Sequence, residues 1–449
     1  MVRSRGFKVG KIGGAPLRAL ARLGGSELAA RLHLLGPVQR AIYEGARAGT
    51  KAISSFGASA AKKRAAQAAE AQRLGPSKGP ALFDLAPTDE QALMRDAMRR
   101  FAEEVLRPAA HAADAAATPP DQVLAQGHAL GLAGMMIPES LGGAATERST
   151  VTHALIFEEL ARGDMGLTTA ILSPLAVVQA IVTWGTGEQQ ARYLPPFLEE
   201  RFVPAALALL EPRPLFDPMR PRTGAVRSTD GGWALWGEKS LVPLAATAEV
   251  FVVVAEVRGV GPRLFVVERG TPGLTVESDP AMGVRAAGLG RLRLEAARVP
   301  DEALLGGQAS PNEFDVGDLV DRARIAWGAM AVGAGQSVLD YVVPYCNSRQ
   351  AFGEVISNRQ AVAFMVADIA LELEGMRLMV HRAASRLDQG LDVAKHATLA
   401  RMQCASKGMK IGSDGVQLLG GHGFIKEHPV ERWYRDLRAI GVLEGALLA

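Results

Sequence analysis

The sequence of 449 residues predicts an α+β fold, and three observations carry that expectation. Helical periodicity dominates from Thr88 to about Val203, short β-type runs crowd between Ala206 and about Gly307, and helical periodicity returns from Gly317 onward. Helices, then a β module, then helices again is a segregated order; a doubly wound sheet would alternate strand and helix. The expected domains are a basic helical extension with linker over 1–82, a helical domain over 83–205, a β-domain over 206–307 and a helical bundle over 308–449.

The first segment is rich in Arg and Lys, while Glu27, Glu44 and Glu70 are its only acids before Pro80. Leu28, Leu32 and Leu35, then Val38 and Ile42, line one helical face, and Gly24-Gly25 and Gly36-Pro37 interrupt the pattern. Such a segment suits a helical strap on its own protein, a membrane-surface anchor with peripheral lipid contact, or a targeting sequence; it lacks the apolar core of a secretory signal. "KKRAAQAAEAQRLGPSKGP", Lys62 to Pro80, reads as a solvated helix running into a linker.

In the second segment, Met94, Met98, Phe101 and Val105 form a helical stripe, and "IPESLGG" (Ile137 to Gly143) reads as a loop. The uncharged run Met165 to Gly187 is long enough to span a membrane, but its Thr, Ser, Gln and Pro residues favour two buried helices meeting at Pro174. The third segment holds "EVFVVVAEV" (Glu249 to Val257) and "RLFVVE" (Arg263 to Glu268), bounded by Gly and Pro. Charge is nearly balanced, 50 Lys+Arg against 47 Asp+Glu, so nothing global points to nucleic acid. Two distant cysteines, Cys346 and Cys404, exclude a disulfide framework and a zinc cluster and suit a reducing compartment.

Several motifs then fall in one order: "FEELARGD" (Phe157 to Asp164), "TPGL" (Thr271 to Leu274), "RVP" (Arg298 to Pro300), "SRQAFG" (Ser348 to Gly353), "QLLGGHGF" (Gln417 to Phe424) and "HPVERWYRD" (His428 to Asp436). From Leu85 to Ala449 the chain resembles the acyl-CoA dehydrogenases. That resemblance implies a central β-sandwich or barrel between an N-terminal helical domain and a C-terminal four-helix bundle, with FAD at their junction. It also implies dimers or tetramers, possibly with a paralogous subunit, an acyl-CoA substrate and an electron-transfer flavoprotein as reoxidant. The implied location is cytoplasmic in a bacterial cell and mitochondrial in a eukaryotic one.

Desaturating an acyl thioester removes an α-proton and a β-hydride. The α-proton is weakly acidic, so the site needs a desolvated base and directed donors on the thioester oxygen. The resemblance implies that Glu444 is the base, with its own backbone N–H on that oxygen and Gly445 giving the acyl carbons close access. Some family members carry the base one residue before the arginine matching Arg324; that position is Ala323, which cannot take a proton. Asp321 and Arg324 are implied toward CoA, though an ion pair on an amphipathic helix reads equally well for Asp321. Arg349, Phe352, Gly353 and Gln360, with Gln417, Leu419, Gly420 and Gly421, are implied to meet the adenosine-diphosphate half of a neighbouring subunit's FAD. Without the family, Gly420-Gly421 is an ordinary helix C-cap.

The pattern breaks on the ring side of the flavin. "LEPRPLFD" keeps Glu211, Pro212 and Asp217, but Leu210 replaces a Thr and Leu215-Phe216 replace Gly-Ser. In "GEKSLVP", Leu241 stands for an aromatic residue and Pro243 for the Thr expected at flavin N5; Ala351 and Ala446 also replace polar side chains. These losses raise an alternative: a flavin-poor, non-catalytic subunit that binds acyl-CoA beside an active partner.

Overall fold

Thr88 starts the first helix through a capping box: its hydroxyl accepts from the Gln91 N–H, and the Gln91 side chain accepts from the Thr88 N–H. The structure is a computed structural model that describes residues 86–145, 148–229, 231–307 and 314–449. The extension expected over 1–82 therefore lies outside the described residues. Helix α1 (Asp89–Phe101) continues through a π-turn (Ala102–Leu106) into α2 (Arg107–Ala116), followed by a short α3 (Asp121–His128). Met98 of the predicted stripe is buried. The loop at Ile137 to Gly143 contains one 3₁₀ turn at Glu139–Leu141.

Ser149, Asp164 and Thr186 cap α4 (Thr150–Ala161), α5 (Met165–Trp184) and α6 (Gly187–Tyr193), each accepting from a backbone N–H in the first turn. Here one expectation is corrected: α5 is a single helix that runs through Pro174. Proline removes a backbone donor and crowds the preceding turn. Burial outweighs that local preference, because every residue from Met165 to Ile181 is buried, and the Ser173 hydroxyl donates to the Ala205 carbonyl at 2.8 Å. By length and composition α5 could cross a membrane, but its apolar window is 94% buried inside the protein.

Seven strands follow: β1 (Ala205–Ala208), β2 (Gly224–Arg227), β3 (Trp233–Val242), β4 (Val250–Val257), β5 (Gly261–Glu268), β6 (Leu274–Ser278) and β7 (Gly290–Val299). They make one sheet in the order β1-β4-β2-β3-β7-β6, with β5 on the other edge of β4. The two β-type runs of the sequence are β4 and β5, paired antiparallel from Val250↔Glu268 to Val257↔Gly261. One sheet face buries Phe251, Phe265, Leu235 and Leu292 in a core of its own, while Val252, Val254, Leu264 and Val266 join the helical core. This alternation is the period of two that a sheet covered on both faces requires.

Helices α7 (Val316–Ser348), α8 (Gln360–Asp388) and α9 (Ala394–Leu419) are long, and α10 (Val430–Ala439) is shorter; together they form the bundle. A small hairpin, β8 (Gln350–Ala351) and β9 (Glu354–Val355), joins α7 to α8.

Charged groups from α10 fasten the bundle to the other layers. Arg432 donates to Asp164 at 3.0 Å, Arg435 reaches both Asp114 oxygens at 2.9 and 2.8 Å, and Asp436 accepts from the Val284 N–H at 2.6 Å. Burial, reinforced by nearby Asp164, pushes the Asp436 carboxyl up to about 8. A native pKa above that of the unfolded chain gives stability fully present below about pH 4 and lost as pH rises through about 8. Asp436→Asn keeps an acceptor for Val284 without this titration. Its melting temperature should fall less than the parent's between about pH 5 and about pH 9, as differential scanning fluorimetry would show. Equal slopes in the two proteins would refute a neutral Asp436.

Candidate active site

After α10 the chain turns under α7, and Leu443 and Ala446–Ala449 are buried. Two contacts hold it there. The Trp327 indole N–H, buried on α7, donates to the Gly445 carbonyl at 2.8 Å, and Arg322 exchanges backbone and side-chain hydrogen bonds with Ala449. Gly445 itself has φ +69°, and a Cβ there would stand 2.6 Å from the Cβ of Leu209. Both the left-handed backbone and the close approach of the β-domain demand glycine. Leu209 is fixed in turn, because the fully buried Lys239 donates to its carbonyl at 3.0 Å and to Glu211 at 3.1 Å. Burial lowers Lys239 to about 8 against the pull of Glu211.

This turn delivers Glu444 against two guanidiniums. Its Oε1 lies 3.3 Å from Arg401 on α9 and 3.7 Å from Arg324 on α7. Its Oε2 is buried and has no hydrogen-bond partner, and the side chain is 14% exposed. The Glu444 backbone N–H donates to no group among the described residues. Arg324 also donates to the Thr398 hydroxyl at 3.0 Å, so α9 contributes to both cations. Burial lowers the pKa of Arg401, opposed by Glu444. Asp321, on the same face of α7 as Arg324, is pushed up to about 6 by burial, with Arg324 opposing. Ala323 is fully buried, so no second carboxylate competes from that position.

The site brings Glu444, Gly445, Arg324 and Asp321 together; Arg401, Thr398, Trp327 and Leu209 join them without having been singled out in the sequence. The other expected residues lie elsewhere. Arg349, Phe352 and Gly353 sit on the β8–β9 hairpin, and Gln360 starts α8. Gln417, Leu419, Gly420 and Gly421 end α9, near the hairpin through the hydrogen bond between Tyr345 and His422 at 3.0 Å. From Arg324 to Ser348 α7 rises roughly 36 Å, and from Arg401 to Gln417 α9 rises roughly 24 Å, so this second group stands toward the other end of the bundle from Glu444.

On the β-domain face near Glu444, the surviving signature residues hold the loop. Glu211 accepts from the Arg222 and Thr223 N–H groups, and Asp217 accepts from the Met219 N–H. Leu215 is 99% exposed with φ +51°, a backbone shape made for glycine but filled by leucine. Leu210, Leu241 and Pro243 offer no side-chain donor, and the Leu241 N–H already donates to Asp279.

A helical layer, a sheet buried on both faces and a helical bundle that buries one carboxylate oxygen without a hydrogen-bond partner define a three-layer α+β architecture. The chain belongs to the acyl-CoA dehydrogenase family, a family of FAD-dependent oxidoreductases: the N-terminal, middle and C-terminal domains of that family match residues 88–201, 206–297 and 317–447. It is 33% identical over 364 residues to a cyclohex-1-ene-1-carbonyl-CoA dehydrogenase of Geobacter metallireducens, covering 80% of this chain and 95% of that one. Among solved structures it is similar to butyryl-CoA dehydrogenase from Megasphaera elsdenii (TM-score 0.73, 28% identity, 81% of this chain and 96% of that one). It is also similar to the FAD complex of PigA (TM-score 0.73, 25% identity, the same coverage).

Gly445→Ala places a methyl against Leu209 in a left-handed backbone. It should lower the melting temperature and the turnover together, the backbone strain alone costing about 1–2 kcal/mol. Chemical denaturation beside a turnover assay checks this; a variant as stable as the parent would show that the tail does not need that close approach.

Proposed function

We propose that this chain is an FAD-dependent acyl-CoA dehydrogenase that converts an acyl thioester to its 2,3-enoyl form, with Glu444 as the α-proton base. The observation that carries the reading is the Glu444 carboxylate: Oε1 is held by Arg401 and Arg324, while Oε2 is buried with no partner. A buried acceptor left unmatched is costly unless another group completes it. The free Glu444 N–H lies beside it and suits the oxygen of a thioester whose charge grows as the proton leaves.

The residues fit FAD unequally. Gly420 (φ +59°, ψ −131°) holds a backbone that only glycine adopts readily, and a Cβ on Gly353, Gly420 or Gly421 would meet nothing within 4 Å. Phe352 is 91% exposed, with Arg359 stacked on its ring at 4.8 Å. An uncovered aromatic ring beside open backbone suits the adenosine half of FAD bound in a neighbouring subunit. Toward the ring system, Leu210, Leu241 and Pro243 supply apolar contact only. When bound, FAD supplies the two-electron acceptor for the β-hydride. The chain's own residues orient the thioester, hold its oxygen and take the α-proton.

A homodimer or homotetramer follows from the same reading, since the adenosine-side residues of the family meet the FAD of a neighbouring subunit. Phe364, Leu371 and Leu378 recur every seven residues as exposed positions along α8, joined by Met402 and Met409 on α9, and a second copy would cover that stripe. Asp321 and Arg324 would face the CoA moiety, and an electron-transfer flavoprotein would reoxidise the enzyme. The missing donors at Leu210, Leu241 and Pro243 favour a second reading, a flavin-poor subunit that binds acyl-CoA without turning it over.

One experiment separates the two. Purified protein incubated with FAD and desalted should keep the visible flavin bands, which should bleach on anaerobic addition of a straight-chain acyl-CoA. Glu444→Gln should keep the bands and lose bleaching by more than about 1000-fold, removal of a general base being worth about 10²–10⁴-fold. Protein that desalts colourless supports the second reading; unchanged bleaching in Glu444→Gln would remove Glu444 from the chemistry.

A further inference from the structure

Arg401 is the nearest cation to Glu444, and neither composition nor motif drew attention to it. It lies on α9, is nine-tenths buried, and presents a guanidinium whose Nη1 has no hydrogen-bond partner. Glu444 is the one carboxylate within ion-pair distance of it among the described residues. One turn earlier on the same helix face, Thr398 accepts from Arg324. Thus α9 touches the base directly through Arg401 and indirectly through Arg324. Both cations make their nearest approach to the same oxygen, Oε1, and no group donates a hydrogen bond to Oε2.

We propose that Arg401 is a positioning residue for the base: by holding Oε1 it fixes the carboxylate plane and leaves Oε2 as the oxygen that takes the α-proton. The proposal rests on the reading of Glu444 as base. A carboxylate turning freely about its last bond presents its two oxygens equally, and each turn away from the α-carbon is an unproductive geometry. Tying one oxygen to a buried cation breaks that equivalence, because a desolvated guanidinium loses its strongest partner whenever the carboxylate rotates. Arg324 alone is a weaker tether, at 3.7 Å and shared with Thr398. The docking of the tail has other supports, Trp327 to Gly445 and Arg322 to Ala449, so the ion pair is free to serve the orientation of Glu444.

The step it governs can be read apart from oxidation. In α-proton exchange the α C–H bond breaks, its electron pair stays with the substrate as the thioester enolate, and the proton moves to Oε2. In deuterium oxide the acid exchanges with solvent and returns a deuteron to carbon, with no net redox change. The test uses FAD-loaded parent, Arg401→Met and Arg401→Lys with butyryl-, octanoyl- and 3-phenylpropionyl-CoA in deuterium oxide, scoring α-deuterium by mass spectrometry and kcat and KM by turnover. Arg401→Met should lose about 100-fold in both exchange and kcat, the loss that a misplacement of about 1 Å brings. KM should stay within about 3-fold, since binding does not depend on the oriented oxygen. Arg401→Lys, which keeps a charge without the fork, should recover about tenfold of that loss. Where Arg401→Met fails to fold, Arg401→Lys carries the test: a folded variant with parental exchange overturns the proposal. So does a folded Arg401→Met that exchanges like the parent, or one that raises KM with kcat unchanged. A flavin-loaded parent that exchanges none of the three thioesters overturns the reading of Glu444 itself.

Discussion

Everything at the candidate site depends on burying one acid beside two cations. A buried charge left without a partner is costly. The fold meets this with an asymmetric arrangement: cations from two bundle helices nearest one oxygen of Glu444, and no hydrogen bond on the other. That solution needs α7, α9 and the tail at fixed separations. It explains why Trp327, a large buried side chain, is spent on a hydrogen bond to the Gly445 carbonyl. The neighbouring glycine lets Leu209 of the β-domain press against the same turn, so the position of Glu444 is set from three directions.

The longer-range frame is built from buried acids. Asp114, Asp164 and Asp436 are buried, and each ties α10 or its arginines to a different layer: α2, the start of α5, and the loop before β7. Asp114 and Asp164 do so as ion pairs with Arg435 and Arg432, and Asp436 through the Val284 N–H, so any slip leaves a buried polar group without its partner. The tail follows directly from α10, so the precision of that docking passes to Glu444 within eight residues of Asp436.

Much of this was legible in the sequence, and the limits have physical causes. Segregated helical and β periodicities gave the order of layers, since those periods are imposed by burial on one face. Glu444 is legible only through the resemblance, as the acid between Leu443 and Gly445, eight residues after Asp436. Arg401 did not, because an arginine on a helix reads as a solvated face until tertiary packing buries it. Arg401 and Glu444 stand 43 positions apart, and the residues between carry no local signal of their meeting. Pro174 was misread for the complementary reason: its local preference for a break is real, and packing around α5 overrides it.

The replaced signature residues acquire a consistent meaning once the layers are known. Those that survive, Glu211 and Asp217, hold backbone, and Lys239 joins Glu211 to the strand that supports Leu209. Those that changed, Leu210, Leu241 and Pro243, do not hold the loop; they shape the face it presents. Leu215 itself holds a left-handed backbone that ordinarily favours glycine. The frame and Glu444 are thus present, while the side chains on the face toward the cofactor are apolar. A flavin ring bound there would meet apolar side chains, and its polar contacts would fall to backbone groups and to whatever residues meet the adenosine half of the cofactor.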